Sequence, residues 1–179
     1  MLVEESPSDR VMEFVDLRNI MDAELVRVRR ASGWELDFSA LARGLPGQRR
    51  LVGAYMFDTL RKSQSGYISG LSLVRALRHQ GFRVVAPTDE PEEVGPQKEA
   101  DVLLATELLV QAHRDSYDVA IVVSGDRDFI PAIRAVQGLG KRVEVAAFQG
   151  TYIARLKEAA DRFHILDELP CLRKQEAPV

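Results

Sequence analysis

The sequence predicts an α/β fold, a central and mainly parallel sheet of five to six strands with helices on both faces. Three observations predict it. Short β-rich apolar runs alternate with segments of helical pattern, the arrangement of βαβ units. The run Val119-Ala120-Ile121-Val122-Val123 is apolar at every position, as a strand covered on both faces must be. Gly81 and Gly140 stand where two helices should stop, each just ahead of the next strand.

In chain order the strand runs are 11–15, 51–57, 82–85, 119–123 and 143–147, with an edge strand at 163–166. Helical patterns fall at 19–30, 68–80, 98–116, 128–138 and 151–161. The helix at 98–116 is apolar on most sides, so it is expected to be sandwiched in the core. Residues 31–50, with Gly44, Pro46 and Gly47, read as a loop carrying one short helix. Residues 1–10 read as a flexible N-terminus, 11–168 as one domain without repeat or linker, and 169–179 as a C-terminal tail.

Composition narrows the class. A chain of 179 residues, 46% hydrophobic and 28% charged, can bury a full core as a single globular domain. The net charge of −3 does not mark a nucleic-acid binder as a whole. Charge is uneven: residues 1–80 hold 12 Lys/Arg against 10 Asp/Glu, and residues 81–179 hold 12 against 17, so the halves are +2 and −5. Arg27, Arg29, Arg30, Arg49 and Arg50 give the first half basic spots, readable equally as solvated faces. Cys171 is alone, which excludes an internal disulfide and a four-Cys zinc site. No secretory signal and no apolar stretch near the ~20 residues of a membrane span are present, so a cytoplasmic protein without membrane partner is expected.

Ligands of an open α/β sheet bind outside the carboxyl ends of the strands, near the point where strand order reverses. Asp16 follows the first strand, and Asn19 comes three residues on. Ser124, Gly125, Asp126, Arg127 and Asp128 follow the fourth strand, and Asp101 lies in the first turn of the helix leading into it. If the first and fourth strands are neighbours, these groups converge. Each also has a structural reading. Asp128 would cap a helix whose first turn holds Pro131, and Asn19 would cap its own helix. Asp126 would stabilise its turn, and Asp101 would serve the helix dipole. Together, however, the carboxylates would repel one another, and a cation is the natural remedy. Hard oxygen donors suit Mg²⁺ or Mn²⁺ better than zinc. Glu107, six residues after Asp101, points about 120° away around the helix and ranks below the others. Asp58 reads as a turn residue, and His79, His113 and His164 as surface or helix-end residues without a role.

These segments carry a resemblance. Val122-Val123-Ser124-Gly125-Asp126-Arg127-Asp128-Phe129 with Pro131, together with Phe14-Val15-Asp16-Leu17-Arg18-Asn19, resembles the NYN-domain family of the PIN-like nuclease superfamily. Lys98-Glu99-Ala100-Asp101 with Glu107, and Gly140-Lys141-Arg142-Val143-Glu144-Val145, are similar to later blocks of that family. The resemblance implies a Rossmann-like PIN fold and a Mg²⁺- or Mn²⁺-dependent ribonuclease. Its catalytic residues would be Asp16, Asn19, Asp101, Asp126 and Asp128, and the four aspartates would be metal ligands. Ser124 would support the site as a hydroxyl and meet the substrate, RNA; Arg18, Arg127 and Lys98 read as phosphate contacts or, equally, as counter-ions of the acidic cluster. Glu107 would stand in an aspartate's place as the second acid of the Asp101 helix. Leu17, Arg18 and Glu99 depart from the family's pattern, and Asp89, Glu90, Glu92 and Glu93 make an acidic loop. That loop motivates the alternative, a catalytically weak or inactive nucleic-acid- or protein-binding module on the same fold. No small-molecule cofactor is expected, and a homo-oligomer is left open. A haloacid-dehalogenase-like phosphatase would need Asp-x-Asp after the first strand, a Toprim-like domain a Glu there, and a nucleotide-binding Rossmann protein a glycine-rich turn. Asp16-Leu17-Arg18 meets none of these.

Overall fold

The computed structural model describes residues 6–23, 26, 34–62, 68–89 and 97–174. Its main sheet has six strands, in the order β10-β9-β8-β1-β3-β6. These are β1 (Arg10–Asp16), β3 (Arg50–Phe57), β6 (Arg83–Val85), β8 (Val119–Val123), β9 (Arg142–Ala147) and β10 (Arg162–Ile165). All five pairings are parallel. The chain builds from β1 outward through β3 to β6, then crosses to β8 on the other side of β1. Strand order therefore reverses between β1 and β8, with Val15 opposite Val123 at the carboxyl ends.

Period-2 alternation assigns the two faces of the sheet. Val11, Val15, Met56, Ile121 and Val123 face one way, against α1 (Leu17–Asp22), α2 (Phe38–Gly44) and α3 (Leu71–His79). Met12, Phe14, Phe57, Val122 and Val145 face the other way, against α4 (Gln97–His113), α5 (Ile130–Gly138) and α6 (Ala154–Ala159). β8 is buried along its whole length, which is why its sequence shows no alternation. Gly81 and Gly140 have φ of +93° and +79°, the left-handed helix stops that their positions predict.

Several elements differ from expectation. α4 is not sandwiched: its buried row is Leu104, Leu108 and Ala112, while Val102 is 61% exposed. An almost uniformly apolar helix gives no moment from which to read its buried side. The region at 31–50 contains β2 (Trp34–Leu36) as well as α2, which Asp37 caps by accepting the Ala40 N–H at 2.9 Å. β11 (Leu172–Lys174) pairs antiparallel with β2 and follows the fully buried Cys171, so the ordered fold runs into the segment read as a tail. Three short strands, β4 (Leu60–Lys62), β5 (Ile68–Ser69) and β7 (Thr88–Asp89), make a separate small sheet. Of the acidic loop at 89–93 only the backbone of Asp89 is described, and the rest lies outside the described residues, as do 24–25 and 27–30 of the first predicted helix. Among the described residues no helix is long and apolar enough to cross a membrane.

Buried ionisable side chains interrupt the core. Arg49 and Glu144 form a bidentate pair, with Nη1–Oε1 at 2.5 Å and Nη2–Oε2 at 3.0 Å. His164 Nε2 lies 2.7 Å from Glu144 Oε2, so His164 is a half-buried partner and not the surface residue its sequence context suggested. Glu13, mid-β1, is fully buried with both carboxylate oxygens unpartnered.

Candidate active site

Asp16 ends β1 and caps α1. Its Oδ1 accepts the Asn19 N–H at 3.0 Å, and its Oδ2 accepts the Ser124 hydroxyl at 2.9 Å. The helix therefore begins at Leu17, and Asn19 is freed from capping. Asn19 Oδ1 instead accepts the Gly125 N–H at 2.8 Å, tying α1 to the turn after β8. Ser124, nearly fully buried, also accepts the Asp126 N–H at 3.1 Å through its Oγ. Asp126 Oδ1 accepts the Asp128 N–H at 2.8 Å and caps a 3₁₀ turn at Arg127–Phe129, the part that sequence offered to Asp128. A single chain of hydrogen bonds thus locks Asp16, Asn19, Ser124 and Asp126 across the β1–β8 switch.

These groups open on a cavity of about 470 Å³. Asp16, Arg18 and Asn19 line it from β1 and α1, Asp126 from the β8 turn, and Asp101 from α4. The sequence reading missed Asp22 from α1, Thr59 after β3, and Gln149, Gly150 and Thr151 after β9, which also line it. The rule of strand carboxyl ends would have found the last four, had it been applied to β3 and β9 as well. Gly125 has a steric reason: a Cβ there would collide with the carbonyl oxygen of Thr151, so only glycine lets the β8 turn and the β9 loop touch.

Other predicted residues stand apart. Asp128 and Arg127 do not line the cavity; their side chains are 83% and 71% exposed, with Arg127 Nε 4.0 Å from Asp128 Oδ1. The Lys98 side chain lies outside the described residues. Glu107 is not at the cavity: it accepts from Gln111 Nε2 at 2.6 Å, and Gln111 also donates to the Tyr55 hydroxyl at 3.1 Å.

The electrostatics follow from burial and crowding. Burial pushes the Asp16 carboxyl up to about 6; the Asn19 and Ser124 hydrogen bonds oppose the rise, and the Asp101 and Asp126 charges add to it. Asp101 is also raised, by burial first and then by Asp126 and Asp128, with Arg18 opposing. A cation entering the cavity would relieve this repulsion, and the carboxylate, amide and hydroxyl oxygens match a hard ion. Among the described residues no three acidic, His or Cys side chains are gathered closely enough to hold an ion by themselves. The donor set therefore fits an ion that keeps several waters, as Mg²⁺ does.

Comparison with known proteins agrees with this layout. A crystal structure of a protein of unknown function from Vibrio parahaemolyticus is similar in fold, with a TM-score of 0.69 at 20% identity. The match covers 93% of this chain and 98% of that one. No functionally curated protein matches the chain. The NYN domain pattern matches residues 10–167, from the first residue of β1 to just past β10. The chain belongs to the NYN-domain family, of the PIN-like nuclease type.

Proposed function

We propose that this protein is a cytoplasmic, divalent-metal-dependent ribonuclease that hydrolyses RNA phosphodiester bonds at the cavity between β1 and β8. The observation that carries the reading is the convergence of Asp16, Asp101 and Asp126 on one cavity, with Asp16 and Asp101 held above their usual range partly by the other carboxylates. Asp16, Asp126 and Asp101 would hold Mg²⁺ or Mn²⁺, directly or through water. When bound, the ion supplies Lewis-acid polarisation of a phosphoryl oxygen and a water of lowered pKa. Asn19 and Ser124 fix the two carboxylates that flank the switch point, so little side-chain ordering remains when substrate arrives. Arg18 lines the same cavity and would place its guanidinium charge beside a phosphate oxygen.

The test is cleavage of labelled RNA in Mn²⁺ by pure wild type and by Asp126→Asn. Cleavage is expected in the wild type and lost in the variant, with the melting temperature of the two alike. Equal cleavage by both proteins would refute the assignment. Mn²⁺ binding without cleavage of any RNA would favour the inactive binding module instead.

A further inference from the structure

The opposite end of β3 from the cavity carries a second feature. β3 spans 8 residues, yet β6 pairs with it only from Tyr55 to Phe57. Alongside Leu51 to Ala54 no strand of the described residues continues the sheet, and a groove of about 310 Å³ opens there. α2 lines one side with Ser39 and Arg43, and the turn ahead of β6 lines the other with Gln80 and Phe82. Ser39 Oγ donates to Gln80 Oε1 at 3.3 Å, so the two rims form one surface.

The charge of this surface is one-sided. Residues 38–57 and 70–85 contain Arg43, Arg49, Arg50, Arg75, Arg78 and Arg83 but no acid and no lysine. Arg49 is buried on Glu144, Arg83 donates to the Tyr55 hydroxyl, and Arg78 to the Val84 carbonyl. Arg43 lines the groove and Arg50 directly precedes its Leu51; both are exposed, and among the described residues no carboxylate pairs with either. Arg10 and Arg142, by contrast, are neutralised by Asp118 and Asp9.

We propose that this groove is a second RNA contact, holding a single-stranded stretch of substrate away from the cavity; it rests on the ribonuclease reading above. The cavity is acidic and attracts a cation, so it repels the phosphate backbone, and affinity for RNA has to come from another surface. Arginine without lysine suits phosphate, because the planar fork donates two parallel hydrogen bonds. Phe82, half-buried in the groove, offers a ring for a base to stack on. From Leu51 to Phe57 the strand is about 20 Å long, so a dinucleotide at the cavity does not reach the Leu51 end of the groove. An acidic peptide laid along the open edge would answer the same charge. The edge is irregular there, since Leu51 and Gly53 pair with successive β1 residues across a bulge, and a bulge breaks the spacing an added strand needs.

The experiment measures fluorescence anisotropy of labelled single-stranded RNA of about twelve nucleotides in EDTA, across a salt series. The proteins are wild type, Arg43→Gln/Arg50→Gln and Asp101→Asn. Each phosphate contact on single strands contributes a salt slope of about 0.7, which at about 0.1 M salt is roughly fivefold in affinity. The double arginine variant is expected to bind about 25-fold more weakly with a slope shallower by about 1.4, and Asp101→Asn to bind no more weakly than wild type. The turnover of a dinucleotide in Mn²⁺ by the double arginine variant should equal that of wild type. Equal RNA affinity of wild type and the arginine variant, or no RNA binding at all, overturns the proposal. So does arginine-dependent capture of a poly-glutamate peptide without RNA binding, which would assign the groove to an acidic protein segment. Arginine-dependent RNA binding without Mn²⁺ cleavage would leave the groove standing and remove the ribonuclease reading.

Discussion

Glu13 sets up a prediction that can be worked through from its surroundings. It lies mid-β1 with no exposure, opposite Ala54 on β3 and Ile121 on β8, and on the face shared by Val11 and Val15. Neither carboxylate oxygen has a partner. Burial therefore holds its carboxyl well above the ordinary value of 4.5. The folded protein keeps a proton that the unfolded chain gives up, so the sign is that of a raised pKa. The contribution to stability is full below about 4.5 and falls as pH rises, by about 1.4 kcal/mol per pH unit until the folded pKa is reached. Even protonated, an orphaned polar group in the core costs about 1–3 kcal/mol. Glu13→Gln removes the titration and keeps the shape, and Glu13→Leu removes the polar group as well. Urea unfolding at intervals upward from about pH 5 should show the Gln variant gaining on wild type by about 1.4 kcal/mol per pH unit until the folded-state pKa is reached. The Leu variant should exceed the Gln variant by about 1–3 kcal/mol at every pH. Parallel pH curves for wild type and Glu13→Gln, or a Leu variant weaker than wild type near the top of the range, would refute the reasoning.

Other substitutions test the remaining links. Glu144→Gln removes the carboxylate charge that faces the 2%-exposed Arg49 guanidinium in the core and should lower stability by about 3–5 kcal/mol, read as a shift in urea midpoint at unchanged slope. The Glu144 carboxyl is lowered despite burial, because His164 and Arg49 donate to it, so its contribution is present above its ordinary range and fades as acid protonates it below that range. Gly125→Ala forces the β8 turn off Thr151 and should cost about 1–3 kcal/mol, measured by thermal melting, with loss of RNA cleavage. In metal-free buffer at about pH 7.5, Asp16→Asn removes a buried charge and should melt higher than wild type, while millimolar Mn²⁺ raises the melting temperature of wild type alone. Equal Mn²⁺ stabilisation of both proteins would remove Asp16 from the ligand set.

The sequence by itself determined the sheet and the ends of its strands. Full burial left β8 without polar positions, and helix stops fell on glycines because only glycine takes a left-handed φ without strain. It also placed Asp16, Asn19, Ser124 and Asp126 at or just after the carboxyl ends of two strands, since a strand's end is legible from where its apolar run stops; that the two strands are neighbours, so that the groups meet, was decided by the sheet. What a side chain does on arrival was not legible, because it depends on partners far away in the chain. Asp126, not Asp128, caps the turn; Glu107 turns to Gln111; and Thr151 presses on Gly125 through the β9 loop. Arg49 and Arg50 are neighbours in sequence, yet one is sealed against Glu144 while the other stands exposed at a sheet edge. Only the tertiary structure decides such pairs, because the partner that seals Arg49 lies on a strand almost a hundred residues away in the chain.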